Sequence, residues 1–98
     1  MIVVLSDAAE ADLEAIGDWI ARDAPFRAVS YVRELRQACD QLGDMPRAFP
    51  VLPRYRRSGI RKRVHGNHLI FYTVGEHVEV LHVLHGARDY EAILFAPK

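Results

Sequence analysis

The sequence is poor in the residues that staple small folds together. One cysteine, Cys39, stands among 98 residues, so it can form neither an internal disulfide nor a CxxC metal site. The longest apolar run covers residues 69–74, against the ~20 residues a membrane span needs. The opening Met-Ile-Val-Val-Leu-Ser-Asp has neither the basic start nor the small-residue cleavage site of a secretory signal. No glycine-rich phosphate loop, HExxH or His-x-His is present. A disulfide scaffold, a zinc finger, a membrane protein and a secreted protein are all disfavoured. The expectation is a small cytoplasmic protein with no metal and no cofactor.

Half of the residues are hydrophobic and 27% are charged, the balance of a folded chain that buries a core. The length allows one domain, residues 1–98. The net charge is zero but unevenly placed. Residues 1–45 carry nine acids against four arginines, a charge of −5, and residues 46–98 carry nine bases against four acids, +5. Six of those bases lie between Arg54 and Arg63 with no acid among them. Such a block binds phosphates or an acidic protein surface; equally, Lys and Arg protect exposed strand edges from wrong pairing.

Periodicity divides the chain into strands and helices. Residues 2–5 form a short apolar run that reads as a buried strand. Ser6 is a good N-cap, and Asp7 and Glu10 place negative charge on a first helical turn. Ala9, Leu13, Ile16 and Ile20 then share one helical face. Pro25 breaks this helix and suits the first turn of the next, whose apolar stripe is Ala28, Val32, Leu35, Cys39 and Leu42. Gly43, with Pro46 beyond it, is a plausible terminator. So short a link between helices predicts an antiparallel hairpin.

Residues 46–59, with three prolines and no helical period, read as an ordered irregular loop. Residues 60–65 alternate, with Ile60, Lys62 and Val64 on one side and Arg61, Arg63 and His65 on the other. Gly66-Asn67 is a hairpin signal. Residues 68–74 and 77–85 are apolar on both faces, as in the middle of a covered sheet. The predicted fold is α+β: an N-terminal strand, a two-helix antiparallel hairpin, then a three-stranded antiparallel meander, with the helices packed on one face of the sheet.

Few residues offer chemistry. His77, His82 and His85 lie five and three apart, which on a strand puts His82 on the face opposite the other two. Cys39 sits in an apolar helical stripe, where thiols are buried and inert. Trp19, Phe26 and Tyr31 border the helix hairpin, either as the edge of the core or as an exposed groove for a partner helix. In His85-Gly86-Ala87-Arg88-Asp89, Gly86 permits a sharp turn that would bring Arg88 beside the preceding basic strand. There Arg88 either forms a structural salt bridge or extends a patch with Arg61 and Arg63.

Taken together, several short motifs resemble the RelE/ParE toxin superfamily on its ParE side. These are Leu5-Ser6 with Ala9 and Asp12-Leu13, and Pro25 with Ala28 and Tyr31. Gly59-Ile60-Arg61, His68-Leu69-Ile70-Phe71-Tyr72 and the ending Val83-Leu84-His85-Gly86-Ala87-Arg88-Asp89 complete the set. The resemblance covers nearly the whole chain and implies the toxin of a type II toxin–antitoxin pair. ParE-like toxins poison DNA gyrase and are silenced by a ParD-like antitoxin, which wraps the toxin with its C-terminal segment and binds operator DNA itself. RelE-like relatives instead cut messenger RNA in the ribosomal A site.

Cutting RNA by 2′-OH attack needs a base, an acid and cations around the phosphate. Tyr90 follows Arg88 too closely to match the tail tyrosine of RelE-like nucleases, and His85 sits where ParE proteins have a histidine without nuclease function. The expectation is therefore a non-enzymatic inhibitor of DNA gyrase. Arg61, Arg63, Arg88 and the tail from Tyr90 to Phe95 are expected at the target, with core packing an equal reading of the tail. Trp19, Tyr31, Arg61 and Arg63 are expected at the antitoxin, with operator DNA reached only through that antitoxin. The alternatives are a ribosome-dependent endonuclease and a non-toxic partner acting only in operon repression.

Overall fold

The computed structural model describes residues 1–96. Strand β1 (Val3–Leu5) leads into helix α1 (Asp7–Ala21), and Pro25 at the first helical position opens α2 (Pro25–Asp40). A 3₁₀ turn (Gln41–Gly43) follows, and another (Pro53–Ser58) lies within the proline-rich loop. Strands β2 (Arg61–His65), β3 (His68–Val74) and β4 (Val78–His85) form the meander, and a short helix α3 (Tyr90–Leu94) ends the described chain. The sheet order is β1-β4-β3-β2, with β1 parallel to β4 and the other pairs antiparallel.

Local signals explain most of these elements. The Ser6 hydroxyl accepts from the Ala9 N–H at 3.0 Å, as an N-cap does. The same hydroxyl donates to the Leu81 carbonyl at 2.8 Å. Leu81 is the extra residue of a β-bulge, since Phe71 pairs with His82 while Tyr72 pairs with Val80. Nearly two turns further along α1, a single Asp12 carboxylate oxygen accepts from the Val83 N–H at 2.9 Å and meets His82 Nδ1 at 2.7 Å. Helix α1 therefore docks on the bulge through Ser6 and Asp12.

Two apolar layers flank the sheet. On the hairpin side Leu13, Leu35, Cys39, Leu42, Ile70, Tyr72, Val78 and Val80 are fully buried. Each large aliphatic there contributes roughly 1.5–3 kcal/mol by leaving water. On the other face Leu52, Ile60, Phe71 and Leu84 pack beneath Tyr55 of the loop and Tyr90, Ile93, Leu94 and Phe95 of the tail. The predicted helix hairpin on one face stands. The element that the pattern did not give is α3, which covers the opposite face.

Two expectations need correcting. Strand β1 is not buried: it lies at the sheet edge, with Ile2 63% and Val4 45% exposed. Its apolar run reads as interior because a three-residue edge strand has too few positions to show alternation. Nor does Gly43 end α2 through a left-handed conformation, since positive φ occurs only at Gly59 and Gly66 among the described glycines. A Cβ at Gly43 would overlap the Met1 carbonyl oxygen and crowd Val3, so this glycine allows the N-terminal segment to lie against the end of α2. Gly43→Ala is expected to lift β1 and lower stability by about 1–3 kcal/mol, read as a lower urea midpoint. An unchanged midpoint would show that this contact does not hold β1.

Candidate functional site: a groove between the helix hairpin and the sheet

An open groove of about 940 Å³ runs along the side of the hairpin. Helix α1 supplies Asp12, Ile16, Trp19 and Ile20, and α2 adds Arg27 and Tyr31. The facing wall is the β2–β3 turn with His68, then the end of β4 and Arg88 beyond it. Trp19 is 70% exposed on this wall. A tryptophan so placed leaves a large apolar area in water for no benefit to the isolated fold, and it is the residue type most enriched at binding hot spots.

Strand register assembles the far corner. His65 lies opposite His68, and His68 opposite His85, so three imidazoles form a row across β2, β3 and β4. His68 is 9% exposed, and its ring meets that of His85 edge to face, with centroids 5.3 Å apart. The Tyr31 hydroxyl lies 2.8 Å from His68 Nδ1 and 3.3 Å from the His65 carbonyl. Burial pushes the Tyr31 hydroxyl above its ordinary range. Burial, aided by the neighbouring His85 and His65, pulls His68 below the usual imidazole range. Tyr31 reaches this position because Gly66, at φ +56°, turns the hairpin tightly beneath its hydroxyl.

The residues singled out in the sequence fall into three places. Trp19, Tyr31 and Arg88 come together in the groove. Arg61 and Arg63 do not join them. They face the hairpin layer, where Arg61 donates to the Phe49 carbonyl at 2.6 Å and Arg63 to the Ala38 carbonyl at 2.8 Å. Arg63 also lies over the Phe49 ring. The expectation that Arg88 stands beside Arg61 and Arg63 is therefore corrected. Arg88 follows the His85 end of the sheet beside the β2–β3 turn, where Gly86 N–H bonds the Asn67 carbonyl at 2.8 Å, and it lines a groove that neither Arg61 nor Arg63 borders.

Tyr90 and Phe95 take a third position, packed on the opposite face. Tyr90 lies 4.9 Å from the Phe71 ring, and Phe95 stacks on Tyr55 at 4.0 Å. Sequence reasoning missed His68 and His65 as site residues. Their signal was pairing register across a Gly-Asn turn, which a search by spacing within one strand does not detect.

Cys39 is fully buried, and burial together with the adjacent Asp40 pushes its thiol up to about 12. It is no nucleophile at neutral pH. Among the described residues no group of three or more His, Cys, Asp or Glu side chains is placed to hold a metal ion, and no helix is long and apolar enough to cross a membrane.

Comparisons with known proteins agree with this architecture. Residues 3–90 match the family model described as the ParE toxin of the type II toxin–antitoxin system, parDE. The chain is 32% identical over 93 residues to Toxin ParE1 of Caulobacter vibrioides, covering 92% of this chain and 94% of that protein. It is 38% identical over 91 residues to Toxin ParE1 of Mycobacterium tuberculosis strain H37Rv, covering 90% and 92%. A solved structure titled as the chromosomal ParDE toxin–antitoxin system from P. aeruginosa shares the fold, with a TM-score of 0.71 at 20% identity over 87% of this chain and 95% of that one. The family match over nearly the whole length and both curated relatives place this chain in the ParE toxin family of type II toxin–antitoxin systems.

Proposed function

We propose that this chain is a growth-inhibiting toxin that acts in the cytoplasm on DNA gyrase, without covalent chemistry of its own, and is held silent by a ParD-like antitoxin. The observation that carries the antitoxin half is the groove. Its α1 wall is apolar around an exposed Trp19, and its far end is rimmed by Arg27, Arg88 and imidazoles. That shape and polarity suit one amphipathic segment with an apolar stripe and acidic flanks. Operator DNA is reached through the antitoxin, so toxin and antitoxin act as a hetero-oligomer in repression.

Family membership supports gyrase as the target. A binding poison needs surface complementarity rather than an acid–base pair, and Arg88 is the exposed cation best placed for such contact. The decisive experiment is a supercoiling assay with purified toxin, with and without antitoxin, scored for trapped linear DNA. Dose-dependent loss of supercoiling with linear product, reversed by antitoxin, is expected. No effect at large excess of folded, antitoxin-binding toxin would overturn the gyrase reading.

One observation favours a second reading, a ribosome-dependent endonuclease. His68 and His85 are two imidazoles in contact beside Arg88, a pairing that general acid–base catalysis can use. Codon-phased cleavage of messages, lost on substitution of either histidine, would select it.

A further inference from the structure

The imidazole corner carries chemistry that an apolar docking segment leaves unused. The Nδ1 atom of His85 accepts the Ala87 N–H at 3.0 Å, so neutral His85 carries its proton on Nε2. His68 engages Tyr31 through Nδ1. His68 lines the groove, and its Nε2 has no partner in the fold; since no fully buried side-chain nitrogen or oxygen among the described residues lacks one, that atom keeps some contact with solvent.

The charges around this corner are largely committed. Asp12 from α1 is bonded to His82 and the Val83 N–H. Arg27 and Glu34 from α2 pair with each other, and Glu34 also lies 3.6 Å from His65 Nε2 of β2. Arg88, after β4, forms no ion pair among the described residues and borders the groove. Two imidazole Nε2 atoms and one guanidinium are left for a ligand.

We propose that His68, His85 and Arg88 form a carboxylate subsite, and that His68 takes up a proton when an acidic side chain of the docked antitoxin enters it. This rests on the reading that the groove receives the antitoxin. A carboxylate fits better than a nucleic-acid phosphate chain. The adjoining wall is apolar, and a single unpaired cation is too few for the multiple phosphate contacts that hold a polynucleotide.

Tyr31 lets the proton in without rearranging the fold. With His68 neutral, the Tyr31 hydroxyl donates to Nδ1. With His68 protonated, Nδ1–H donates to the tyrosine oxygen and the hydroxyl turns to the His65 carbonyl, already 3.3 Å away. Both states are fully bonded, and the charged one presents a stronger donor to an entering carboxylate.

The direction of the pH dependence follows. Burial and the two neighbouring histidines keep His68 neutral at pH 7 in the free protein, and an adjacent carboxylate raises its affinity for protons. Between those two values binding consumes a proton. Antitoxin affinity therefore rises as pH falls, by up to about tenfold per pH unit for each proton taken up, and levels off below the free-protein value.

The test is calorimetric titration of the toxin with its antitoxin at pH 6, 7 and 8, in buffers of differing ionisation enthalpy. The wild type is expected to bind about three- to tenfold more tightly at pH 6 than at pH 8, with buffer-dependent heat reporting proton uptake. His68→Asn, which keeps a partner for Tyr31 but does not titrate, is expected to bind with a flat profile. Tight wild-type binding with no pH dependence, or proton uptake that persists in His68→Asn, would overturn the subsite and leave the docking reading standing. Absence of binding by folded toxin at every pH would overturn the docking reading and the subsite with it. Should His68→Asn fail to fold, the His68 ring-nitrogen shifts decide: neutral when free and protonated in the complex at pH 7 is expected, and neutral in both overturns the subsite.

Discussion

A chain ending at Asp89 is expected to lose most of its folding stability. The segment removed supplies Tyr90, Ile93, Leu94 and Phe95, the cover over Phe71, Leu84, Leu52 and Ile60. Each of these partly buried side chains is worth roughly 1–2 kcal/mol by area. Their sum is comparable with the ~5–15 kcal/mol that keeps a domain folded. Deletion also exposes the Phe71 face of the central strands to water, so a broadened urea transition and strong binding of a hydrophobic dye are expected. A truncated chain with a native transition would show that the tail lies on the sheet without holding it.

The same experiment bears on the tail as a gyrase contact. Phe95→Ala removes the stack on Tyr55 and is expected to lower the midpoint. If toxicity falls while the midpoint stays unchanged, Phe95 contacts the target rather than the fold.

Trp19→Asp is expected to weaken antitoxin binding by at least about 30-fold, the ~2 kcal/mol typical of losing an aromatic anchor. The fold should hardly change, because Trp19 is 70% exposed and surface substitutions usually cost within about 0.5 kcal/mol. Val64, 61% exposed on the basic strand and outside the groove, provides the control: Val64→Asp should bind antitoxin as the parent does. Pull-down with tagged antitoxin and calorimetry would both read this difference. Equal affinity of the two variants would move the antitoxin off the groove. Arg61 and Arg63 are unsuitable probes of the same question. Their guanidinium groups satisfy the Phe49 and Ala38 carbonyls, and reversing either charge sets a carboxylate against a carbonyl oxygen.

Elements with several periods of pattern were legible in the sequence. The stripe through Ala28, Leu35, Cys39 and Leu42 is buried as its spacing requires, and the Gly66-Asn67 turn joins β2 to β3 in the expected register. The two-faced apolar strands correctly demanded cover on both sides. Core packing by the tail was one of two open readings; that the tail covers the sheet as a helix was not legible, because α3 has only five residues and shows no full helical repeat.

The site was half legible. Trp19 and Tyr31 stand out as aromatics at the edge of a helical stripe. The row of His65, His68 and His85 exists only once β2, β3 and β4 are paired. Arg61 and Arg63 show the opposite failure. A run of bases reads as a free electrostatic surface, yet alternation points these two at the hairpin, where backbone carbonyls need donors.

The parallel pairing of β1 with β4 orders events during synthesis. Val3 pairs with Val78, and the Ser6 hydroxyl reaches the Leu81 carbonyl across 75 residues of sequence. Neither contact can form until β4 has left the ribosome. Until then the helical hairpin waits with its apolar stripe uncovered, since Ile70, Tyr72 and Val80, which cover it, come late in the chain. The groove needs both the hairpin and the end of β4, so a nascent chain offers no completed surface until β4 has emerged. The groove is therefore a property of the finished fold, and a partner that reads it distinguishes folded chains from partly folded ones.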